Sequence, residues 1–250
     1  MKEPVTNEAN RSPGRSQEPG TSARSVAIAV SADVSVSGLF EGQSGSRACY
    51  VLAHGAGAGM RHPFLASAAE GLNGRGIASL RYQFPYMERG SKRPDPPKLA
   101  QAAVRAAVTE AGNLSPGLPL FGGGKSFGGR MTSQAQAEAP LPGVRGLIFL
   151  GFPLHRPGEP SDERAQHLFK VKVPMLFVQG ERDEFAQFDL LQSVIKQLGA
   201  RATLRSIPEA DHSFHVPART GRKAPEVLAE LLDAVAAWIE RVLSNEPSRE

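Results

Sequence analysis

The 250-residue chain holds a single cysteine, Cys49. That excludes an internal disulfide and any cysteine-based zinc framework. Nowhere do the roughly 18 consecutive apolar residues of a membrane-spanning helix occur. The opening residues, MKEPVTNEANRSPGRSQEPG, contain no apolar run of the kind a secretory signal carries. Charge of one sign is also scarce: 29 Lys and Arg against 25 Asp and Glu leave +4. No Lys/Arg cluster forms a nucleic-acid footprint. No two histidines have the spacing of a helical zinc motif, so no metal site is expected. No internal repeat is visible. The expectation is a soluble cytoplasmic chain with neither nucleic acid nor membrane as partner. At this length a core forms without a disulfide or metal staple.

What is present divides the chain in two. Residues 1–24 are rich in Pro, Gly, Ser and Asn and in both charge signs, with Val5 the only large aliphatic besides Met1. Too little apolar area is available there to offset ordering entropy, which predicts a disordered tail. Residues 25–250 form one domain of alternating strands and helices. Apolar runs at 26–30, 34–40, 48–53, 77–82, 118–121, 144–150, 174–178 and 202–207 read as strands, the first two as an antiparallel pair. Most are continuous rather than alternating, the mark of a parallel sheet covered on both faces. Helical spacing appears at 98–111, ending at Gly112, at 131–139, at 185–198, and in a final stripe opened by Pro225. The fold class is α/β, an open doubly wound sheet.

Gly122-Gly-Gly-Lys-Ser-Phe-Gly-Gly129 follows a strand and precedes a helical pattern. A phosphate-binding loop ending in Gly124-Lys125-Ser126 requires a glycine where Pro119 stands. A dinucleotide fingerprint starting at Gly122 requires one where Phe127 stands. Gly124-Lys-Ser126-Phe-Gly128 fits G-x-S-x-G without exception, small residues allowing a strained turn that lifts the serine hydroxyl above the sheet. A serine hydroxyl needs a base, and the base an orienting acid. Strand-end loops in this architecture gather such groups. The strand at 174–178 runs into Asp183, and the one ending at Ile207 runs into His212. Nucleophile Ser126, acid Asp183 and base His212 follow in the chain order that this turn calls for.

Rivals stand beside each. Glu184 is an alternative acid, and Asp211 adjoins His212, a position from which side chains rarely meet face to face. His215 is an alternative base. His54 lies before the serine in a Gly-rich loop, which it is expected to shape. His62, His155 and His167 are expected to be solvated or loop-packing. Lys125 is either an anion contact or a residue solvated or packed beside the turn. Tyr82 and Phe84 line a pocket or belong to the core. Cys49 is expected to be inert core.

At these residues the chain resembles the α/β-hydrolase superfamily over roughly residues 25–243. His54-Gly-Ala-Gly-Ala-Gly59, Gly124-Lys-Ser-Phe-Gly-Gly129, Gly151-Phe-Pro-Leu-His155 and Val178-Gln-Gly-Glu-Arg-Asp183 are similar to its dienelactone-hydrolase-like branch. Within that branch they resemble the testis-expressed and NSL-complex-subunit hydrolase-like group. The resemblance implies a mostly parallel sheet of about eight strands. It implies Ser126, Asp183 and His212 as the triad, and an oxyanion hole from the backbone N–H groups of Ala56 and Phe127. The bacterial dienelactone hydrolases use a cysteine nucleophile; this chain places serine there. The function implied is a carboxylesterase-like serine hydrolase that needs no cofactor. The competing class is a non-catalytic interaction module on the same scaffold. A cap in this fold is an insertion after the strand ending near Leu150. Only 23 residues, 151–173, precede the next strand, and 161–170 reads as the core helix within them. An open cleft walled by 57–62, 82–86 and 152–154 is expected, suited to small soluble esters or lactones.

Overall fold

The apolar runs at 48–53, 77–82, 144–150 and 202–207 become strands β3 (Ala48–Ala53), β4 (Ile77–Tyr82), β6 (Val144–Leu150) and β8 (Ala202–Ile207) without adjustment. The structure, a computed structural model, describes residues 23–245; the expected tail lies outside them except for residues 23 and 24. Strands β1 (Arg24–Ala29), β2 (Ser35–Glu41), β5 (Leu120–Lys125) and β7 (Met175–Gly180) complete one eight-stranded sheet in the order β1-β2-β4-β3-β5-β6-β7-β8. β2 pairs antiparallel with β1 and β4, and all other pairs are parallel. Every residue of β3, β4 and β7 is buried, as the continuous apolar runs require.

Six α-helices, α1 (Pro63–Asn73), α2 (Pro85–Glu88), α3 (Pro97–Leu114), α4 (Phe127–Glu138), α5 (Phe188–Leu198) and α6 (Ala224–Ser244), connect and cover the described strands. Successive strand residues serve opposite faces. Val51 belongs to one buried cluster with Val104 and Ala107 of α3, Met131 of α4 and Leu191 of α5. Its neighbours Tyr50 and Leu52 belong to a second cluster, with Leu65 and Leu72 of α1 and Leu231 and Trp238 of α6. The protein therefore has the α/β-hydrolase fold, with helices on both faces of a mostly parallel sheet and no large cap among the described residues. No described helix is long and apolar enough to cross a membrane.

Besides shifts of one to four residues at other ends, four elements differ from expectation. β5 does not end at Phe121 but continues through Gly122, Gly123 and Gly124, which pair with β3 and β6. Glycine propensity suggested a loop, yet only glycine fits this strand. A Cβ on Gly123, whose φ is +151°, would run into the Ile148 carbonyl. α3 passes through Gly112 to Leu114, where the Ser115 hydroxyl donates to the Ala111 carbonyl at 2.5 Å. α5 begins at Phe188 rather than 185, because residues 185–187 belong to the turn after β7. The helix within 151–173 is a 3-10 helix, Glu163–Lys170. Neither α1 nor α2 was expected from the sequence pattern.

Candidate active site

The turn from β5 into α4 holds Ser126 at φ 49° and ψ −115°, a conformation that L-residues avoid. Such backbone strain persists only where the surroundings over-determine it. Here the Ser126 N–H donates to the Leu150 carbonyl at 3.2 Å, and the Arg130 N–H donates to the Ser126 carbonyl at 3.1 Å. The flanking glycines make the turn possible. A Cβ on Gly124 would meet the Ala53 carbonyl oxygen, and one on Gly128 would lie 2.6 Å from the His54 carbonyl oxygen. Gly122–Gly124 are paired in the sheet and so form no open cradle for a phosphate.

β7 and β8 deliver the other two groups. His212 Nε2 lies 2.9 Å from Ser126 Oγ, and its Nδ1 lies 2.7 Å from Asp183 Oδ2. The His212 side chain is 17% exposed and that of Asp183 is fully buried. The Asp183 carboxylate also accepts from Gln179 Nε2 at 2.6 Å and from the Phe185 N–H at 2.8 Å. The Phe185 ring lies against the imidazole, with ring centres 4.4 Å apart. Three side chains that the sequence places on separate loops thus form one hydrogen-bonded chain.

The rivals fall elsewhere. Glu184 is exposed. His215 is 75% exposed and faces Asp211 at 3.6 Å. The Asp211 carboxylate accepts from the Ser213 and His215 N–H groups, at 2.8 and 2.9 Å, and so shapes the His212 loop. His54 is fully buried, as expected of a residue that shapes its loop. Its Nδ1–H donates to the Gly55 carbonyl at 2.7 Å, and Nε2 accepts the Phe84 N–H at 3.1 Å. This pattern fixes one neutral tautomer. Burial pushes its pKa down to about 4. His155 repeats the arrangement, bonding the Arg156 carbonyl at 2.7 Å and the Gln187 N–H at 2.8 Å. His167 Nε2 meets Ser133 Oγ at 2.7 Å, but Ser133 is fully buried and its hydroxyl is within reach of the Arg130 carbonyl at 2.9 Å. No carboxylate orients that imidazole among the described residues. Cys49 is buried, and burial pushes its thiol up to about 11.

The Phe127 N–H opens α4, so no earlier carbonyl of the helix accepts it. It and the Ala56 N–H have no hydrogen-bond partner among the described residues. Above Ser126 lies a cavity of about 560 Å³, lined by Ala56, Ala58, His62, Phe64, Phe185 and His215 among others. Of the expected walls only the 57–62 loop contributes. Tyr82, Phe84 and Tyr86 are fully buried core, the last two edge-on to Phe127 at 5.3 and 6.3 Å. Phe152 and Leu154 are also buried, Phe152 against Phe149 and Phe177. Their place is taken by Phe64, from an α1 that had no signal, and by Phe185, whose spacing suggested a helix. A larger hollow of about 850 Å³ lies between β8 and α6, but its lining contains no serine, histidine or cysteine. Among the described residues no group of three His, Cys, Asp or Glu gathers as a metal site.

The fold has solved relatives. A dienelactone hydrolase from Anabaena variabilis is 21% identical, with 88% of this chain and 97% of that one superposed at a TM-score of 0.69. A serine hydrolase without lid from Xanthomonas campestris is 20% identical, over 91% and 98% of the chains, at 0.69. Est1E from Butyrivibrio proteoclasticus with ferulic acid bound is 16% identical, over 88% and 100%, at 0.71. At these identities the likeness is one of fold. Residues 46–240 match the alpha/beta hydrolase domain family, and the chain belongs to that family.

Proposed function

We propose that this protein is a serine hydrolase that cleaves small soluble esters or lactones through an acyl-enzyme on Ser126. The observation that carries the reading is the unbroken chain from Ser126 Oγ through the His212 imidazole to Asp183, at 2.9 and 2.7 Å. Both distances are within reach for proton transfer and for its orientation. In this mechanism His212 Nε2 takes the hydroxyl proton as Ser126 Oγ bonds to the ester carbonyl carbon. Asp183 holds the Nδ1–H tautomer and stabilises the imidazolium that forms. The Ala56 and Phe127 N–H groups receive the oxyanion, each worth on the order of 3 kcal/mol. The tetrahedral species collapses, the carbon–oxygen bond to the leaving group breaks, and His212 returns its proton to the departing alkoxide. Water repeats the sequence on the acyl-enzyme and frees Ser126. The lidless serine hydrolase among the fold neighbours supports the reading, since this chain also lacks a large cap.

A fluorophosphonate probe tests it. Labelling of the wild-type protein and none of Ser126→Ala is expected. Turnover of p-nitrophenyl acetate should drop in that variant by several orders of magnitude with the melting temperature nearly unchanged. A folded wild-type protein that takes no label, or a variant that keeps its turnover, overturns the assignment. The first outcome leaves an interaction module on a hydrolase scaffold.

A further inference from the structure

Lys125 stands at the end of β5, one residue before Ser126, and its side chain reaches the His212 loop. Nζ donates to the His212 carbonyl oxygen at 2.6 Å and lies 5.4 Å from the centre of the Phe214 ring. It also lies against Gly151, where a Cβ would come within 2.9 Å of Nζ. The loops after β5, β6 and β8 therefore meet at one ammonium group.

The His212 loop is one that needs holding. Two non-glycine residues on it, Glu209 at φ 60° and Phe214 at φ 64°, sit in the left-handed region. The loop's other backbone tethers act beside His212 rather than on its own carbonyl. The Arg182 N–H donates to the Ala210 carbonyl at 2.9 Å, and Asp211 accepts from Ser213 and His215. Among the described residues only Lys125 binds the His212 carbonyl. A lysine stem is flexible enough to carry its charge out to water when nothing holds it. This one instead stays in the site.

We propose that Lys125 is a positioning residue, its ammonium fixing the His212 backbone so that the imidazole bridges Ser126 and Asp183. The proposal rests on the reading of Ser126 as nucleophile. Burial pushes the Lys125 pKa down to about 8, while the carboxylates of Asp183 and Asp211 draw it back up. The other titratable groups facing it are the His212 ring and, beyond Asp211, His215. Below that value the bond to His212 is charge-assisted; above it the neutral amine donates a weaker one. The hold therefore loosens as pH rises through about 8.

The test compares the wild type, Lys125→Met and Lys125→Arg on p-nitrophenyl acetate from pH 6 to 9.5, with melting curves for each. Displacing the base by a fraction of an ångström is expected to lower kcat roughly 10- to 100-fold in Lys125→Met. KM should stay within about threefold, because the ammonium is bonded to the His212 carbonyl and methionine keeps an unbranched apolar stem where Lys125 lines the cavity. The wild type should lose activity through an alkaline limb near pH 8 that Lys125→Met lacks. Lys125→Arg, whose guanidinium does not titrate in this range, should recover part of kcat and move the limb above pH 9. Wild-type kcat in a folded Lys125→Met overturns the proposal. So does an unmoved alkaline limb in Lys125→Arg, which decides the matter alone if the methionine variant does not fold. Full turnover in Ser126→Ala instead removes the reading beneath it, so the two failures are distinguishable.

Discussion

Gln179, in β7, and Asp183, just beyond it, are joined side chain to side chain, Nε2 to Oδ2 at 2.6 Å. The other end of the same amide is also occupied, since Oε1 accepts the Phe152 N–H at 2.8 Å. The amide orientation is thereby fixed, and Gln179 and His212 converge on the same Oδ2 while Oδ1 accepts the Phe185 N–H. Gln179→Leu removes a donor from a buried carboxylate and leaves the Phe152 N–H unpaired. Each such loss costs about 1–3 kcal/mol. The expected outcome is a clearly lower unfolding free energy and a fall in kcat of about tenfold, because Asp183 loses a fixed direction. Gln179→Glu should be worse, with two carboxylates sharing one buried site. Unchanged unfolding and kinetics in Gln179→Leu would refute the role.

Two glycines within helices should respond to alanine with opposite signs. At Gly128 the new methyl meets backbone, the His54 carbonyl oxygen at 2.6 Å and the Ala53 carbonyl carbon at 2.7 Å. Backbone moves reluctantly, so a loss of about 1–3 kcal/mol or more is expected, together with loss of activity as the turn shifts. At Gly112, inside α3, the nearest atom is Leu120 Cδ1 at 3.9 Å, an ordinary contact. Gly112→Ala should gain about 0.4–1 kcal/mol through reduced chain entropy and better helix propensity. Urea unfolding of both variants checks this, and a stable Gly128→Ala would contradict the close approach.

Acid stability carries a signature of His54. Its pKa is pushed from an ordinary 6.5 to about 4 by burial. Between those values the unfolded chain binds a proton that the folded chain refuses, so stability falls as pH falls through that window. The full effect of this one residue is about 3 kcal/mol, reached near and below pH 4. His167, pushed down to about 4 by burial and by Arg130, adds in the same direction. His54→Asn should be less stable at pH 7, because the Phe84 N–H loses its acceptor, yet lose less on acidification. Unfolding free energies at pH 7, 5.5 and 4 decide it; a variant as acid-sensitive as the wild type would remove His54 from the account.

Strand-end chemistry was legible because a parallel sheet sends every such loop to one edge. Ser126, Asp183 and His212 could be placed together because each lies on the loop after a strand, in the chain order that the G-x-S-x-G turn calls for. Asp183 over Glu184 could not, since the choice depends on which carboxylate the turn after β7 directs inward. The cavity walls were not legible either. α1 is rich in alanine and begins at a proline, and its start is held by the His62 ring accepting the Phe64 N–H at 3.3 Å. Phe64 is a wall only because that helix exists. Tyr82, Phe84 and Tyr86 have the composition of a pocket lining. The His54 bond to the Phe84 N–H and the packing on Phe127 place them beneath the site instead.

That placement sets the last expectation, which concerns substrate length. Phe64 stacks on Phe214 with ring centres 5.8 Å apart and planes within 16°. The cavity above Ser126, about 560 Å³, reaches Phe64 on one side. A second hollow of about 340 Å³, lined by Phe64, Phe214, Val227 and Leu228 among others, adjoins it. The two share Pro63, Phe64, Ser213 and His215, so the Phe64 ring stands in the partition between them. A short acyl group fits the first space, whereas a longer one runs onto the rings or out into water. A methylene left in water gains nothing of the ~0.8 kcal/mol that burial provides. In a p-nitrophenyl ester series, acetate and butyrate should therefore outpace decanoate and palmitate, with no activation at a lipid interface. Phe64→Ala removes the partition and should move the optimum toward longer chains, by up to about fourfold in kcat/KM for each methylene that becomes buried. A wild-type optimum at long chains defeats the cleft argument. An unchanged chain-length profile in Phe64→Ala shows that the ring is no barrier.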